Sequence, residues 1–442
     1  MIQRCCLKNN NIEEFSESVL KNYKKVGIDD FELSISNRKV LSVQSRNIKL
    51  ENIESSETSS ISLNVVIGKK QSTLSANNIQ GLDVIALLEK GKFMADSSPE
   101  DPYSGLPEAN DYAVTLNDLD LEDKKIVDKQ MLTDLAIQAE ENMLGIKGVT
   151  NTEGASASTS HTQITFLSSK NFFKTYNKTI HTISSIGIAG RDTNMQRDYD
   201  YSATTHFEDL KNPSEIGKKA GERATSRLNS KKIKSSVVDV VFEPRIAKSL
   251  LSSLASCISG ASIARGTSFL LKKIDTKICN DDITISNMPQ LFRGLGSVPF
   301  DSRGIKSQNL NLIENGYLKN YLLGLRSARQ LKLKPNGNSS PYNLTLNNGK
   351  ASPDALIRSV KKGIYITEML GMSFNPVNGD YSRGAAGFMI ENGEITFPIN
   401  EVTIAGNFSD ILKKLTPADD LKILENMNAP TILVEKMTLA GI

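Results

Sequence analysis

Three histidines, His161, His181 and His206, are the first places to look for metal or acid–base chemistry. Imidazole both ligates zinc and titrates near neutral pH. All three fall in the first half of the chain, and their spacing matches no local pair such as His-x-x-x-His on one helical face. Each lies in Ser/Thr-rich company with strand-like alternation. They read as ordinary sheet-surface histidines, with a metal or acid–base role as the alternative. The sequence has no Gly-x-Ser-x-Gly elbow, no phosphate loop and no Cys-x-x-Cys. Gly294-Leu295-Gly296 lacks the third glycine and the following helix of a dinucleotide site. Asp281 and Asp282 are adjacent, so on a strand they point to opposite faces and on a loop they are solvated. Cys5, Cys6, Cys257 and Cys279 are too few and too scattered for a disulfide framework, and reduced thiols in a cytoplasmic protein are expected. On that reading the Asn-x-Ser/Thr sequons at Asn177, Asn338, Asn343 and Asn407 are chance matches.

The elements that must position any site come next. A chain of 442 residues is too long for one ordinary core, which predicts two domains. An apolar content of 39% with 23% charge fits a soluble globular protein. The net charge of +3 argues against a surface built around nucleic-acid phosphates. No apolar run approaches the ~20 residues a membrane helix needs, and the opening MIQRCCLKNNN has no apolar core to make it a secretory signal. Apolar periodicity predicts helices over 12–26, 79–95, 124–144, 213–228, 245–259 and 354–363. Alternation predicts strands over 30–36, 40–45, 60–67, 71–75, 163–168, 172–177, 179–189, 199–205, 237–242 and 431–434. The fold class is therefore α+β. Residues 1–228 form an N-terminal helix-and-antiparallel-sheet domain, and 229–236 (NSKKIKSS) a solvated linker. Residues 237–442 form a β-rich, sandwich- or barrel-like domain with few helices.

Two hairpins dominate the second half. Residues 385–391 and 394–399 flank Asn392-Gly393, a pair that tolerates the positive φ of a two-residue turn. The same phrase stands earlier around Asn315-Gly316, which suggests one antiparallel sheet system. Gly384 and Gly387 crowd the start of the later hairpin and permit a close backbone approach.

Several stretches, in order along essentially the whole chain, resemble the PmbA/TldD family, and specifically its PmbA (TldE) branch. They are EDPYSGL at 100–106, RGTSFL at 265–270, SVPFDSRG at 297–304, YLL at 321–323, GAAGFMIENG at 384–393 and PTILVEKMTLAG at 430–441. The resemblance implies a pairing. The TldD branch supplies a zinc metallopeptidase subunit with His-Glu-x-x-x-His on a helix and a later cysteine. The histidines hold the metal, and the glutamate serves as base for its bound water. The PmbA branch completes a peptide-binding cleft, and the pair trims short or unfolded peptides, including peptide-antibiotic precursors.

This sequence departs from the TldD pattern. Counted back from Arg265, the His, Glu and His positions carry Leu251, Ser252 and Ser256, and no cysteine follows Cys279. The expectation is a non-catalytic subunit with no catalytic residue, metal or cofactor of its own, the zinc residing in a TldD-like partner. Helix 245–259 is then packed rather than catalytic, with Cys257 a buried structural thiol. Extended peptides would add to an edge strand. Ser382, Arg383, Gly384 and Gly387 are the candidate peptide or partner contact, with Arg383 facing a carboxylate. Two alternatives stand beside this reading. One is a metallopeptidase in its own right using an unrecognised site; the other is a non-enzymatic, homodimeric peptide-binding protein. The chain expressed alone is expected to form a homodimer.

Overall fold

The computed structural model describes residues 6–442. Cys5 lies outside them. The N-terminal unit starts with helix α1 (Cys6–Val26) and strands β1 (Asp30–Arg46), β2 (Lys49–Ile67) and β3 (Lys70–Ala76). Helices α2 (Val84–Asp96) and α3 (Lys129–Leu144) follow, then strands β4 (Val149–Ser168), β5 (Phe172–Ala189) and β6 (Gln196–Thr204), and helix α4 (Pro213–Ser226). The strands make one antiparallel sheet in the order β3-β2-β1-β4-β5-β6. Strands of 17 to 20 residues accumulate enough twist to curl this sheet into a half-barrel.

One-in-two alternation divides its faces. Leu33, Ile35, Val43, Ala155, Ala157 and Ile183 face the helices and are buried. The opposite face carries hydroxyl ladders, with Ser156–Ser184 at 2.9 Å and Ser158–Thr182 at 2.6 Å. The sequence reading broke β1 and β5 in two at Asn37-Arg38-Lys39 and Lys178, where polar residues interrupt the apolar pattern. Cross-strand partners hold both strands unbroken there, including Arg38 between Thr58 and Thr162. Helices α2 and α3 start later than their apolar periodicity because Asp83 and Asp128 cap them, Asp83 accepting from the Ile85 and Ala86 N–H groups.

The C-terminal unit comprises β7 (Ser236–Phe242), α5 (Pro244–Cys257), α6 (Gly260–Arg265), β8 (Ile285–Asn287), β9 (Leu310–Glu314), β10 (Tyr317–Leu318) and α7 (Leu325–Leu331). Then come β11 (Leu344–Leu346), α8 (Pro353–Ser359), β12 (Lys362–Phe374), β13 (Asp380–Glu391), β14 (Glu394–Asn407), α9 (Phe408–Lys414), β15 (Leu415–Pro417), β16 (Met427–Asn428) and β17 (Ile432–Ala440). Strands β14-β13-β12-β7-β17 run side by side, and β14 pairs again with β17 at Thr403–Ala440, so the sheet closes into a barrel. Val240, Phe242, Ile364, Ile404 and Val434 share one core with the α5 leucines. A second small sheet, β10-β9-β8-β11-β16, packs on the same core.

Both Asn-Gly hairpins form, with φ of 50° and 84° at Asn392-Gly393 and 47° and 81° at Asn315-Gly316. They belong to different sheets, not to one system: the first is in the barrel and the second in the small sheet. Helices α6, α7 and α9 are additions to the sequence reading; each is a short segment that apolar periodicity cannot single out. The helix expected over 354–363 stops at Ser359. Gly363 instead enters β12, where an added Cβ would lie 2.5 Å from the Asp239 carbonyl oxygen.

Closure demands backbone proximity. At Gly387 an added Cβ would sit 2.0 Å from the Tyr365 carbonyl oxygen, beside a bulge in both strand pairings. At Gly384 the nearest atom, Leu370 Cβ, is 3.3 Å away. Gly387→Ala is therefore expected to destabilise the chain by at least about 2 kcal/mol, and Gly384→Ala by clearly less. Denaturant unfolding of the two variants checks the order.

Candidate functional site

The positions to which the sequence resemblance assigns the metallopeptidase motif lie on α5, and the helix turns them apart. Leu251 is 2% exposed, in the core with Leu250 and Leu254. Ser252 and Ser256 are exposed on the other side, and the Ser256 hydroxyl donates to the Ser253 carbonyl at 2.7 Å. Three ligands must converge within about 2.3 Å of one point to hold zinc. A buried leucine and two outward serines do not fit that ion. Among the described residues no group of three or more His, Cys, Asp or Glu is placed to hold a metal.

Strand β13 carries the other candidate residues. Ser382 pairs with Ser373 on β12 and with Ala405 on β14, and Gly384 with Leu370 and Thr403. The backbone from Ser382 to Gly387 is thus occupied on both sides, and it offers no edge to an extended peptide. The glycines serve close strand contact inside the barrel. Arg383 is half-buried, and its Nε has no hydrogen-bond partner. Next to it Tyr381 reaches toward α5: its hydroxyl and the Ser249 hydroxyl lie 3.9 and 3.7 Å from the Met369 sulfur. Burial pushes the Tyr381 phenol up to about 12.

A cleft lined by charged side chains lies where the two units meet, and the sequence reading missed it. It is a cleft of about 580 Å³ between β6 and α4 on one side and α5, β12 and the 420–431 segment on the other. Its walls are ion pairs. Arg223 binds Asp200 at 2.6 Å and Glu243 at 2.9 Å. Arg245 binds Glu243 and Asp198, each at 3.0 Å. Arg227 bridges Asp198, at 3.6 Å, to Glu368. Lys248 binds Glu425 at 2.5 Å and the Tyr201 hydroxyl at 2.9 Å. Glu243 and Asp198 outweigh the burial of Arg245 and raise its pKa above the ordinary guanidinium value. A signal existed. Asp198 and Asp200 alternate with Tyr199 and Tyr201 on one strand, and Arg223 and Arg227 stand one helical turn apart.

The histidines fall into two classes. His161 is a surface residue, 2.9 Å from Glu122. His181 and His206 are not on the sheet surface. They are 1% and 7% exposed, with Nε2 atoms 3.3 Å from Asp123 and 3.4 Å from Asp120. Apolar contact with Phe207 and a chain crossing over β5 bury them, which strand alternation alone does not reveal. Burial drives the His181 pKa down, against the opposing pull of Asp123. Cys257 and Cys279 are buried, and desolvation pushes each thiol up to about 12.

Two outcomes follow. As pH falls below the ordinary imidazole value, about 6.5, unfolded His181 takes up a proton that the folded state resists. Stability should therefore drop with acidification. His181→Gln should flatten that slope between pH 7 and 5, measured by thermal unfolding across pH; Asp123, His206 and Lys125, which face the same ring, remain in place. Cys257 and Cys279 should resist iodoacetamide at pH 8 in the folded chain and label fully in denaturant, read by peptide mapping.

The comparisons with known proteins agree with this architecture. The PmbA/TldA metallopeptidase central-domain profile matches residues 115–228, and the C-terminal-domain profile matches 235–441. A metalloprotease PmbA homolog from Haemophilus influenzae is 32% identical over 415 residues, covering 93% of this chain and 92% of that protein. A putative modulator of DNA gyrase from Bacteroides thetaiotaomicron shares the fold with a TM-score of 0.91 at 24% identity, over 97% of this chain and 99% of that one. TldE from Thermococcus kodakarensis shares it at 0.84 and 19% identity, over 97% and 100%. The chain belongs to the PmbA/TldD metallopeptidase family, among its PmbA relatives.

Proposed function

We propose that this chain is the non-catalytic subunit of a TldD-type zinc metallopeptidase heterodimer that trims short or unfolded peptides. One observation carries the reading: where the metallopeptidase motif would stand, α5 presents Leu251 to the core and Ser252 and Ser256 to solvent. No general base and no ligand converge there, so metal-assisted hydrolysis would need another chain to supply both. The relatives named metalloprotease PmbA support placing the chain in the PmbA branch, and the likeness to TldE supports the shared fold.

The contribution of such a subunit is a rigid wall. Its cleft is braced by ion pairs between the half-barrel and the barrel, which suits holding an extended chain rather than cutting it. Strand edges outside the barrel remain for that purpose. Among the described residues no strand pairs with the outer side of β2 from Lys49 to Ser56, because β3 pairs only with Ile61–Ile67. Arg383, unpartnered at Nε beside α5, is the residue of β13 with a side chain suited to a carboxylate of substrate or partner.

The test is twofold. The purified chain should carry no stoichiometric zinc and cleave no peptide. Mixed with a TldD-like subunit bearing His-Glu-x-x-x-His, it should form a one-to-one complex whose peptidase activity a chelator abolishes. Chelator-sensitive cleavage by the isolated chain would replace this reading with an independent metallopeptidase. A stable homodimer that ignores the TldD-like subunit would replace it with a stand-alone peptide-binding protein.

A further inference from the structure

The cleft between the two units keeps cations at its rim that stand outside its ion pairs. The facing carboxylates are committed: Asp198, Asp200 and Glu243 to arginines, Glu425 to Lys248, Asp209 to Arg293, and Asp420 to the Thr431 backbone and hydroxyl. Three lysines on its rim, Lys211, Lys219 and Lys422, form no ion pair within 4 Å among the described residues, although Asp200 and Glu243 attract Lys219 from farther off. Burial and the neighbouring Arg223 hold the Lys219 pKa below the ordinary ammonium value, so a nearby anion would relieve it.

One hydroxyl group lines the same space without satisfaction. Thr367 Oγ1 is buried with no hydrogen-bond partner among the described residues. Buried polar groups left unpaired are uncommon in folded proteins.

A strand edge opens into the cleft as well. β6 pairs on one side only, with β5. On its other side the Tyr199 carbonyl accepts from Arg223 and Arg245, each at 3.1 Å, and the Arg197 carbonyl from Arg227 at 3.3 Å. Backbone alternation turns Tyr201 and Ala203 the same way, into the cleft, where no strand covers them. The arginines therefore cap the first half of this edge and leave the second half free.

We propose that this cleft binds the C-terminal end of an extended peptide, whose backbone pairs with the free edge of β6 at Tyr201 and Ala203 and whose carboxylate meets Lys219 and Lys422. Main-chain pairing supplies sequence-tolerant affinity, and the lysines supply the preference for a free chain end. The inference rests on the peptide-handling reading above but is measured on this chain alone, so either can fail without the other.

The experiment is calorimetric titration of the full chain with N-acetyl-tetraalanine as free acid, with its C-terminal amide, and with butanoate, a carboxylate that has no backbone to pair. The free acid should bind about tenfold more tightly than the amide, and more tightly than butanoate. The Lys219→Gln/Lys422→Gln double variant should bind the acid at the level of the amide, leave amide binding unchanged and keep the parent thermal midpoint. Equal binding of acid and amide, or no binding of either, overturns the proposal. Butanoate binding as tight as the acid overturns the peptide as the source of the carboxylate. Failure of all of these while a TldD-like subunit still assembles with the chain would leave the subunit reading intact.

Discussion

Ionised groups removed from water must find partners, and the junction between half-barrel and barrel is organised by that requirement. Asp198, Arg227 and Glu243 are each less than a tenth exposed, so each depends on its pair for solvation. Glu243 is the residue between the end of β7 and the start of α5, and its carboxylate takes both Arg223 and Arg245. A single side chain thereby fixes a barrel strand, the first turn of α5 and the surface of α4. Pairs of this kind add little net stability relative to a well-packed apolar contact, yet loss of one partner strands a charge at a cost of several kcal/mol. Their value lies in orientation. They permit essentially one placement of β6 against α5. They also leave space between the units that apolar side chains would have filled.

Away from that junction the units are joined by backbone recognition. Lys178 on β5 reaches the carbonyls of Leu295 and Ser297 at 2.6 and 3.1 Å, and desolvation lowers its pKa to about 8. Arg329 on α7 donates to the Ser104 and Leu106 carbonyls, which ties the 100–106 loop onto the barrel unit. Tyr112, Phe166, Phe172 and Phe300 complete the seam as a small aromatic cluster drawn from both units. Two of the phrases that carry the family resemblance are accounted for here as anchors. The loop at 100–106 and the turn at 297–304 hold the two units in register, and neither needs a catalytic role to explain its residue types.

The class of the fold was legible because local signals carried it: α+β content, the Asn-Gly hairpins, and a barrel-like second half. Strand lengths were not, since Asn37 and Lys178 are polar by type and extended only because long neighbouring strands pair with them. Barrel closure was equally hidden. It depends on Thr403 meeting Ala440, a contact between segments that no periodicity connects. The fate of the histidines shows the same limit. His181 alternates as a solvent-facing residue should not, but only Phe207 and the crossing segment decide that it is buried. The ion-paired cleft was missed for a related reason: Asp198, Arg223, Glu243 and Arg245 are unremarkable charges in sequence, and become a constellation only when β6, α4 and α5 are brought together.

The residues that α5 carries where the resemblance would set the metallopeptidase motif have a structural consequence of their own. A helix that ligates a metal must keep polar side chains on a face that is neither packed nor freely solvated. α5 has no such obligation. It buries Leu250, Leu251 and Leu254 against the barrel, at roughly 1.5–3 kcal/mol for each side chain, and leaves Ser252 and Ser256 in water. Leu251, where the resemblance would set the first histidine, faces the core. Restoring a histidine there would bury an imidazole among leucines and pull its pKa down without bringing it near a second ligand. Placing His, Glu and His at the three positions alone would therefore leave the first imidazole in the core and the other two side chains in water, with no point at which they converge.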